Sequence, residues 1–592
     1  MSSAAEMAVA AVAKPTTPAE LAAGPVLALD LDVITARYES LRDALGAELF
    51  FAIKANAHPA VILALRNAGS GFDVASAHEA ELAARLGVAP AKMIFSAPVR
   101  TDRDLQVARD LGVGLYVADS LDEVSRLRRL GAPVDVLLRL AVDSLGSRWS
   151  LSTKFGAAIE HLPMLANVAA DGGLRVRGVS FHVGSQAESL GVWARAVHQA
   201  GRALAQLAAD GHDIAILNLG GGFPVHYDRT VPAVGEIAEE IKRAVADHAP
   251  QATRLLAEPG RYLVAEAGAV RATVLSTSMR GDRRWIYLNA GSFNGLFEAG
   301  RNGGALPLPI RLERRPASDE EVLSVFAGSS CDGDDVLGEE RAFAADVHAG
   351  DMVTIGNAGA YSLSYVTPLC GLEPIRVIAD TRARSADLGD GHSAHRCVVS
   401  DPGFAACIDL ERAVFEGVGF LGSDGTLEEF REYDQQSSFV MLEKDGIPIA
   451  CLREILPGPL PLKTLKDFAI FAGAKRWLAE VGPSHITEIG TVSTLPRARG
   501  ATAAQHCYAV AWASAIARGT THWVASIDSD LLEYFRTVYG FDFVDLGPEE
   551  EYFGSPTTPV ALDLRETEKI RATHPDMASL LARAPVLDGR LA

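Results

Sequence analysis

The sequence predicts an α/β protein in three parts: a (β/α)8 barrel of the TIM type, a β-rich domain, and a separate α/β domain. Three observations support this. Eight short apolar runs alternate with helical patterns to about residue 265, strands without long helices continue to about residue 380, and a polar segment precedes a second alternating region. We expect residues 1–24 to be a flexible N-terminus and place the three parts at 25–265, 266–380 and 396–592.

The barrel prediction depends on the eight apolar runs and on the residues that end them. The runs begin near Phe50, Gly71, Lys92, Gly114, Val134, Val176, Ile214 and Arg254. Barrel enzymes build their active sites at the carboxyl ends of the strands. Chemically unusual residues stand at those ends: Lys54, Asp73, Asp119, Arg139, His182, Gly220–Gly222 and Glu258. We therefore expect these residues to share one barrel mouth.

Turn-forming residues and one polar segment divide the second half of the chain. The runs AVRATVLST, RRWIYLNAG, DMVTIGN and PIRVIAD are separated by glycine and proline turns, which predicts a β domain over 266–380. Residues 381–395, TRARSADLGDGHSAH, are polar and small, a composition typical of a flexible linker. Strands such as SSFVMLEKDG and HWVASI then flank a helix near Gln505, so 396–592 is expected to be a separate domain.

Composition excludes several classes of protein. The chain has 592 residues, 48 % apolar and 22 % charged, which excludes collagen-like or wholly disordered chains. The net charge of −20 argues against a nucleic-acid partner. Six cysteines without a Cys-x-x-Cys pair predict neither a disulfide framework nor a metal site, and favour the reducing cytoplasm. We expect no signal peptide and no membrane association.

The residues of the predicted barrel mouth suit one cofactor, pyridoxal 5′-phosphate. That group needs a lysine for a Schiff base, a carboxylate for the pyridine nitrogen and an anion site for the phosphate. Lys54, Glu258 and the glycines of LNLGGGFP offer all three, with Arg261 a second candidate for the phosphate. Taken singly, each has a plainer interpretation as a solvated strand end, a turn or a surface ion pair.

Seven motifs in order resemble one enzyme family over about residues 25–380: FAIKAN, GFDVAS, GVSFHVGS, LNLGGGFP, EPGRY, CDGDD and GNAGAY. They are similar to the fold type III pyridoxal-phosphate decarboxylases that act on ornithine, lysine, arginine or diaminopimelate. The resemblance implies a barrel and β domain like those of alanine racemase. It also implies decarboxylation of a basic amino acid by a homodimer with composite active sites.

The resemblance also implies roles for individual residues. Lys54 would form the Schiff base, His182 would stack on the pyridine face, and Glu258 would keep the ring nitrogen protonated. A carboxylate against that nitrogen stabilises its charged form and so strengthens the ring as an electron acceptor. The phosphate would be held by Ser185, Gly221, Gly222, Arg261 and Tyr361. Asp73 and Arg139 are expected to pair near the lysine.

Substrate selection is expected to depend on acidic residues. In the family the Cys-Asp pair, here Cys331 and Asp332, enters the neighbouring subunit's site, where Cys331 would reprotonate the substrate carbon. Asp332 and Glu298 would accept the distal ammonium of a diamino acid, whereas diaminopimelate would need a cation. One methylene is worth only about 1–3 kcal/mol of discrimination. We therefore prefer ornithine but keep lysine open, with diaminopimelate as the alternative.

The end of the chain resembles a second family. Residues 396–592 contain EEFREYDQQSSFVMLEKDG, EIGTVSTLPRARGAT and DLLEYFRTVYGFDFVDLG, similar to GNAT acyltransferases and to their acyl-homoserine-lactone and N-acyl-amino-acid synthase branch. Arg497, Arg499 and Gly500 precede a helix and could hold the acyl donor, acyl-CoA or an acyl carrier protein. Thr502 departs from the family's small residue there. Glu488 is the candidate that deprotonates an amine.

These predictions combine into one expected function. We expect a bifunctional enzyme that decarboxylates ornithine or lysine and N-acylates the diamine product or its precursor. Two alternatives stay open: a decarboxylase whose last domain only binds or regulates, and a catalytically dead relative. Retention of Lys54, Glu258 and Cys331 together argues against the second alternative.

Overall fold

The computed structural model divides the chain into two compact units, one reaching Ile378 and one beginning at Ala379. It describes the following residues: 24–131, 134–150, 154–300, 304, 306–381, 385–399, 401–417, 428–498, 502–565, 577, 579–581 and 584–587. The two units are described separately below.

The first unit begins with one strand outside the barrel and then builds the barrel. The strands are β1 (Val26–Asp30), β2 (Glu48–Ala52), β3 (Gly71–Val74), β4 (Met93–Phe95), β5 (Leu115–Ala118), β6 (Asp135–Arg139), β7 (Ser147–Trp149), β8 (Arg175–Ser180), β9 (Ser185–Ala187), β10 (Ile216–Asn218) and β11 (Arg254–Ala257). Eight of them close in the order β10-β11-β2-β3-β4-β5-β6-β8, all parallel, and β7 pairs with β9 at the side. The predicted barrel is confirmed, and each of its eight apolar runs is one of these strands.

Helices alternate with the barrel strands, as parallel strands require. They are α1 (Leu31–Leu45), α2 (Pro59–Asn67), α3 (Ala77–Arg85), α4 (Asp102–Asp110), α5 (Leu121–Arg128), α6 (Leu162–Asp171), α7 (Val192–Ala209), α8 (Val234–His248) and the one-turn α9 (Arg261–Val264). Local sequence sets their ends. Asp30 caps α1 by accepting from the backbone N–H of Asp32 and Val33, and Gly46 ends it with φ 62°.

A β-rich sheet completes the first unit. Its later strands are β12 (Gly268–Arg280), β13 (Arg283–Leu288), β14 (Ile310–Leu312), β15 (Glu321–Ala327), β16 (Val336–Ala344), β17 (Met352–Ile355) and β18 (Arg376–Asp380). The main path runs β14-β17-β12-β13-β15-β16. β1 pairs with β12 and β18, so the first predicted barrel residues, from 25, belong to this sheet instead. Pairing between the two ends of the unit decides this, which a local pattern does not encode.

The described residues of the second unit form one sheet of nine strands. They are β19 (Ser385–Gly389), β20 (His392–Val398), β21 (Ser437–Lys444), β22 (Ile447–Ile455), β23 (Ile486–Thr494), β24 (His522–Asp528), β25 (Val544–Asp545), β26 (Glu550–Tyr552) and β27 (Ser555–Asp563). The order is β19-β20-β21-β22-β23-β24-β27-β25, and β26 pairs with β27. Only β23 and β24 pair in parallel. Its described helices are α10 (Pro402–Gly417), α11 (Glu428–Arg431), α12 (Lys463–Asp467), α13 (Ala472–Val481), α14 (Ala503–Ala517) and α15 (Ser529–Val538).

The expected linker at 381–395 is wrong where the structure describes it. β19 and β20 pair as an antiparallel hairpin, and β20 continues into the sheet by pairing with β21. The connecting Asp390 and Gly391 both have positive φ, 52° and 75°. Asp-Gly between two strands is the sequence typical of a tight hairpin turn. The polar composition of this segment does not predict the strand pair, because the pair is stabilised by its pairing with the rest of the sheet.

Candidate active site

Lys54 and Asp73 form an ion pair at the barrel mouth. Lys54 lies in a 3-10 turn directly after β2, and its Nζ is 2.6 Å from Oδ2 of Asp73 on β3. Burial lowers the pKa of Lys54, but the charge and hydrogen bond of Asp73 outweigh it and raise that pKa overall. Ser96, beyond β4, donates to the other Asp73 oxygen. Sequence reasoning did not single out Ser96, although it ends a predicted strand.

Glu258 follows β11 and is partly buried among polar groups. Its Oε1 accepts from Nδ2 of Asn218 at 2.7 Å, and its backbone N–H donates to Gly220 at 2.8 Å. Burial, then the charge of Asp73, raises the pKa of Glu258 to about 7, against the opposing effects of Lys54, Asn218 and Arg139. Asn218 is a second residue missed from sequence. Its position before the glycine run is the feature of the sequence that could have identified it.

His182 is partly buried and neutral. Burial, reinforced by the charges of Arg139 and Lys54, lowers its pKa to about 3. Its Nδ1 accepts from the backbone N–H of Gly184 at 3.0 Å, which places any ring proton on Nε2. A neutral imidazole at the mouth can pack against an aromatic ring without adding a charge.

The glycine run after β10 needs glycine for space and for backbone conformation. Gly220 and Gly222 have φ of 65° and 102°, values that other residues rarely adopt. A Cβ on Gly221 would lie 2.7 Å from the carbonyl oxygen of Glu258 and 3.2 Å from Nε2 of His182. The loop therefore brings its backbone close to both residues.

Arg261 is 5 % exposed and opens α9 beside this loop. Its two Nη atoms lie 2.7 and 2.6 Å from the Glu298 carboxylate, and Nη2 lies 3.4 Å from Oγ of Ser185. The guanidinium also lies over the rings of Trp149 and Tyr361, 5.0 and 4.9 Å from their centres. Nε is buried and has no hydrogen-bond partner among the described residues, so one N–H of the guanidinium remains for an anion.

Tyr361 joins the barrel mouth to the β-rich sheet. Its φ is 61°, and its backbone N–H donates to Ala55 O at 2.7 Å, next to Lys54. Oγ of Ser364 donates to Lys54 O at 2.5 Å. The segment that carries the lysine is thus held from the second layer of the same unit.

Some expected contacts do not form. The Asp73–Arg139 pair is absent among the described residues, because Asp73 instead bonds Lys54 and Ser96. Arg139 lies over the Phe155 ring at 5.2 Å, and burial lowers its pKa. Glu298, expected at the substrate's distal end, has both oxygens on Arg261.

Cys331 and Asp332 lie in an exposed loop between β15 and β16. Cys331 contacts Cys370, Sγ to Sγ 3.4 Å, and Asp332 accepts from the backbone N–H of Asp334 at 2.9 Å. Neither hydrogen-bonds the barrel-mouth residues of its own chain in the part that the structure describes. This placement leaves both side chains available to another molecule.

The barrel mouth fits pyridoxal 5′-phosphate. It supplies an amine on Lys54, a partly buried carboxyl on Glu258 and a neutral aromatic ring on His182. The unpartnered edge of Arg261, with Ser185 and the glycine loop beside it, suits a phosphate. Among the described residues, no group of three or more histidine, cysteine, aspartate or glutamate side chains could hold a metal ion.

In the second unit, β23 and β24 pair only at their starts. The parallel register covers Ile486–Glu488 against His522–Val524, and β23 has an irregularity at Gly490. Beyond that point the strands separate around a largely apolar cavity of about 180 Å³. Its lining includes Ile489, Val492, Tyr508, Trp523 and Phe535. An adjoining cavity of about 330 Å³ shares Val492, Tyr508 and Phe535.

Glu488 is buried on β23 but does not line that cavity. Its carboxylate accepts from the backbone N–H and Oγ1 of Thr464, at 3.0 and 2.9 Å. Burial raises its pKa to about 7. Ile486, on the same strand face by alternation, packs in the opposite core cluster with Val524. Of the predicted donor-binding residues, Arg499 and Gly500 and the side chain of Arg497 lie outside the described residues.

The comparisons with known proteins agree on the first unit. The family described as pyridoxal-dependent decarboxylase, pyridoxal binding domain, matches residues 31–265. A lysine/ornithine decarboxylase from Selenomonas ruminantium is 32 % identical over 370 residues, which cover 62 % of this chain and 92 % of that protein. Antizyme inhibitor 2 from Xenopus laevis is 32 % identical over 349 residues, covering 56 % and 75 %.

A solved structure is similar in fold as well. The lysine/ornithine decarboxylase from Vibrio vulnificus complexed with putrescine has a TM-score of 0.55 and 30 % identity, covering 60 % of this chain and 94 % of that one.

No helix among the described residues is both long enough and apolar enough to cross a bilayer.

Proposed function

Because this chain belongs to the pyridoxal-dependent decarboxylase family, we propose that its first unit removes the α-carboxylate of ornithine or lysine as CO₂. The single observation that carries the proposal is the Lys54–Asp73–Glu258 cluster at the barrel mouth. Similarity to lysine/ornithine decarboxylases over nearly their whole length supports the choice of substrates. When bound, pyridoxal 5′-phosphate supplies the ring that accepts the electron pair left on the α-carbon as CO₂ departs.

Lys54 would bond the cofactor carbonyl carbon through Nζ, which must first lose a proton. Asp73 stabilises the charged ammonium, so this proton leaves more readily once a second cation enters the site or Asp73 is engaged elsewhere. Ser96 and Nζ together occupy both Asp73 oxygens, which fixes the carboxylate. We expect Asp73 and Ser96 to position the amine.

Glu258 would hold a proton between itself and the pyridine nitrogen. Its raised pKa makes the carboxyl easy to protonate near pH 7, and a cationic neighbour would restore its charge. Asn218 orients one oxygen, which leaves the other for the ring. His182 would cover the ring face and exclude water from it.

Recognition of the distal ammonium rests on Asp332 more than on Glu298 in this proposal. Glu298 is neutralised by the two-point contact with Arg261, whereas the Asp332 side chain carries no cation partner among the described residues. Asp332 and Cys331 would act in the neighbouring subunit's site, with Cys331 returning a proton to the α-carbon. The active enzyme would then be a homodimer.

The substrate test measures CO₂ release and amine product from ornithine, lysine, arginine and meso-diaminopimelate with added pyridoxal 5′-phosphate. We expect ornithine and lysine to react and the other two to react poorly. Faster turnover of diaminopimelate than of both diamino acids would contradict the acidic pocket. A protein that neither absorbs as a cofactor complex nor releases CO₂ would contradict the decarboxylase.

A mixing experiment tests the composite site. Lys54→Ala and Cys331→Ala subunits are each expected to be nearly inactive, while a mixed dimer contains one intact site. We expect partial recovery after subunit exchange. Absence of recovery, with exchange demonstrated by mass-labelled subunits, would place both residues in one chain's site.

We also propose that the second unit transfers an acyl group from acyl-CoA or an acyl carrier protein to an amine of the diamine. Two features support this: the separating strands β23 and β24, and the apolar cavity between them. An apolar cavity of about 150 Å³ accommodates a molecule the size of benzene, so about 180 Å³ admits a short acyl chain, and the adjoining cavity a longer one. Glu488 lies on the other face of β23 and would take the amine proton there once the amine replaces its contact with Thr464.

The acyl-transfer test supplies ornithine or lysine with acyl donors of increasing length and follows products by mass. We expect an N-acylated diamine that disappears in Glu488→Gln while CO₂ release continues. Glu443→Gln is the matched control, since Glu443 lies in the same sheet beside His395. If the N-acylated amino acid forms first, the order is reversed; if no donor reacts, the unit is a binding module.

A further inference from the structure

The first unit contains two exposed cysteines that contact each other. Cys331 and Cys370 lie 39 residues apart in sequence, and their Sγ atoms are 3.4 Å apart. The four other cysteines, Cys397, Cys407, Cys451 and Cys507, are buried in the second unit. Folding therefore creates one accessible pair of thiols, and one of the two is the proposed proton donor.

A buried aspartate fixes the loop that carries Cys331. Asp335 is buried, and its carboxylate accepts from the backbone N–H of Ser292 at 2.7 Å and of Ser330 at 3.1 Å. The residue next to Cys331 is thus tied to the sheet. The thiol has a defined position from which to reach its neighbour.

Cys370 is held in an unusual backbone conformation. It lies in the 3-10 turn Leu369–Gly371 with φ 57° and ψ 14°, a region that favours glycine. The turn is closed by the N–H of Gly371 donating to Pro368 O at 3.0 Å. A side chain at this position is mildly strained, yet it projects the thiol onto Cys331.

We propose that Cys331 and Cys370 are a site of reversible disulfide formation that inactivates the decarboxylase when a peroxide oxidises the pair. The inactivation rests on the proposed function, because it requires Cys331 to be the proton donor; the bond itself does not. Sulfur atoms 3.4 Å apart reach the bond length of about 2.05 Å by small rotations of the two side chains. Transient disulfides in reducing compartments are usually catalytic or redox-sensing.

The oxidation balances with one hydrogen peroxide. The Cys370 thiolate attacks one peroxide oxygen, the O–O bond breaks, and a sulfenic acid and hydroxide form, the hydroxide taking up the proton that the thiol lost. The Cys331 sulfur then attacks the Cys370 sulfur, the S–O bond breaks, and a second water leaves with the Cys331 proton. Two thiols lose two electrons in total, and peroxide becomes two waters.

The order in which the two cysteines react follows from which of them is less readily deprotonated. A hydrogen bond with Cys370, together with the charge there, raises the pKa of Cys331, which makes Cys331 the weaker candidate for the first attack on peroxide. We assign that first attack to Cys370. In the reduced enzyme the same contact keeps Cys331 protonated, as a proton donor must be.

The test uses the full-length enzyme loaded with cofactor and reduced beforehand. Exposure to hydrogen peroxide should lower the intact mass by 2 Da per chain and remove both thiols that react under native conditions. CO₂ release should fall at least about tenfold and return with dithiothreitol, because a general acid contributes about 10²–10⁴-fold to rate. Peptide mapping should detect a disulfide that links the Cys331 peptide to the Cys370 peptide of the same chain.

Cys370→Ser is the matched variant, since serine keeps a hydrogen-bonding oxygen beside Cys331. When reduced it should be as active as the parent, and after peroxide it should show no 2 Da loss and keep its activity, because Cys331 then has no partner for a disulfide. Three results would overturn the proposal: two titratable thiols after peroxide, a bond between chains, or full activity with the bond formed. Decarboxylation by the reduced enzyme is measured separately, so failure of the proposed function is recognised independently of the disulfide.

Discussion

Glu258 of the first unit is partly buried and Glu488 of the second is fully buried, and the pKa of each carboxyl is raised to about 7 in different surroundings. Burial is the largest cause in each. Around Glu258 the charge of Asp73 adds to it, while Lys54 and Arg139 oppose it. Around Glu488 the main opposing effects are the two hydrogen bonds from Thr464, and the charges of Lys463 and Asp467 come after them. The same pKa can therefore result from burial modified mainly by charges, as at Glu258, or from burial opposed mainly by hydrogen bonds, as at Glu488.

The two carboxyls should therefore respond differently to ligands. A cation brought against Glu258 enters a cluster that already contains charges of both signs, so small changes there shift its protonation. The protonation of Glu488 changes mainly when water or an amine replaces its bonds to Thr464.

Replacing Lys54 removes the cation nearest to Asp73. Lys54→Ala should abolish CO₂ release and the absorption band of the lysine-bound cofactor, because no amine remains at that point. Spectra and CO₂ assays measure both effects. Lys92→Ala, an exposed lysine bonded to Gly69 O, is the control. Retention of the band in Lys54→Ala would mean that another lysine binds the cofactor.

Replacing Glu258 tests whether its charge matters. Glu258→Gln should lower kcat by about 10²–10³-fold while cofactor still binds, since an amide cannot compensate a protonated ring nitrogen. Steady-state kinetics with saturating cofactor measures this. Glu313→Gln, a carboxylate paired with Arg271 in the same unit, should change kcat little. A kcat within threefold of the parent would contradict the role given to Glu258.

The pH dependence of stability should single out Glu488. Between pH 4.5 and 7 the folded carboxyl keeps a proton that the unfolded chain has released, so stability falls as pH rises and levels off above 7. The raised pKa corresponds to about 3 kcal/mol across that window. Glu488→Gln should remove this slope. Hydrogen exchange of a peptide covering 486–494, corrected for intrinsic rates, measures it, and an unchanged slope would contradict burial as the cause.

Replacing Asp332 should affect substrate binding most. Loss of one charge-assisted contact costs about 1.5–3 kcal/mol, so Asp332→Asn should raise KM roughly ten- to a hundredfold with little change in cofactor binding. Glu298→Gln should raise KM less, because Arg261 already neutralises that carboxylate. Initial rates over a range of ornithine and lysine concentrations decide this. A larger effect in Glu298→Gln would reverse the assignment.

Much of the first unit was predictable from local patterns. Each apolar run became a barrel strand because parallel strands buried on both faces need continuous apolar sequence. Lys54 and Asp73 follow neighbouring strands, and the closed barrel brings them within 2.6 Å. Asn218 and Ser96 escaped notice because an ordinary amide and hydroxyl become informative only when a buried carboxylate is beside them.

The errors arose where stability comes from distant segments. The hairpin at Asp390 and Gly391 has a polar sequence, and only its pairing with β21 makes it a strand pair. The pairing of β1 with β12 joins residues more than 240 positions apart, Val26 to Arg271. Such pairings depend on loop closure over long stretches, which no short window of sequence records.

The sequence by itself determined the barrel, the β-rich sheet and the order of the motifs, because hydrophobic periodicity and glycine or proline turns act locally. Tertiary structure alone decided which charges meet. It assigned Asp73 to Lys54 instead of Arg139, both Glu298 oxygens to Arg261, and Cys370 to Cys331. The physical reason is that electrostatic partners and pKa values depend on distance and burial, which exist only after the chain has folded.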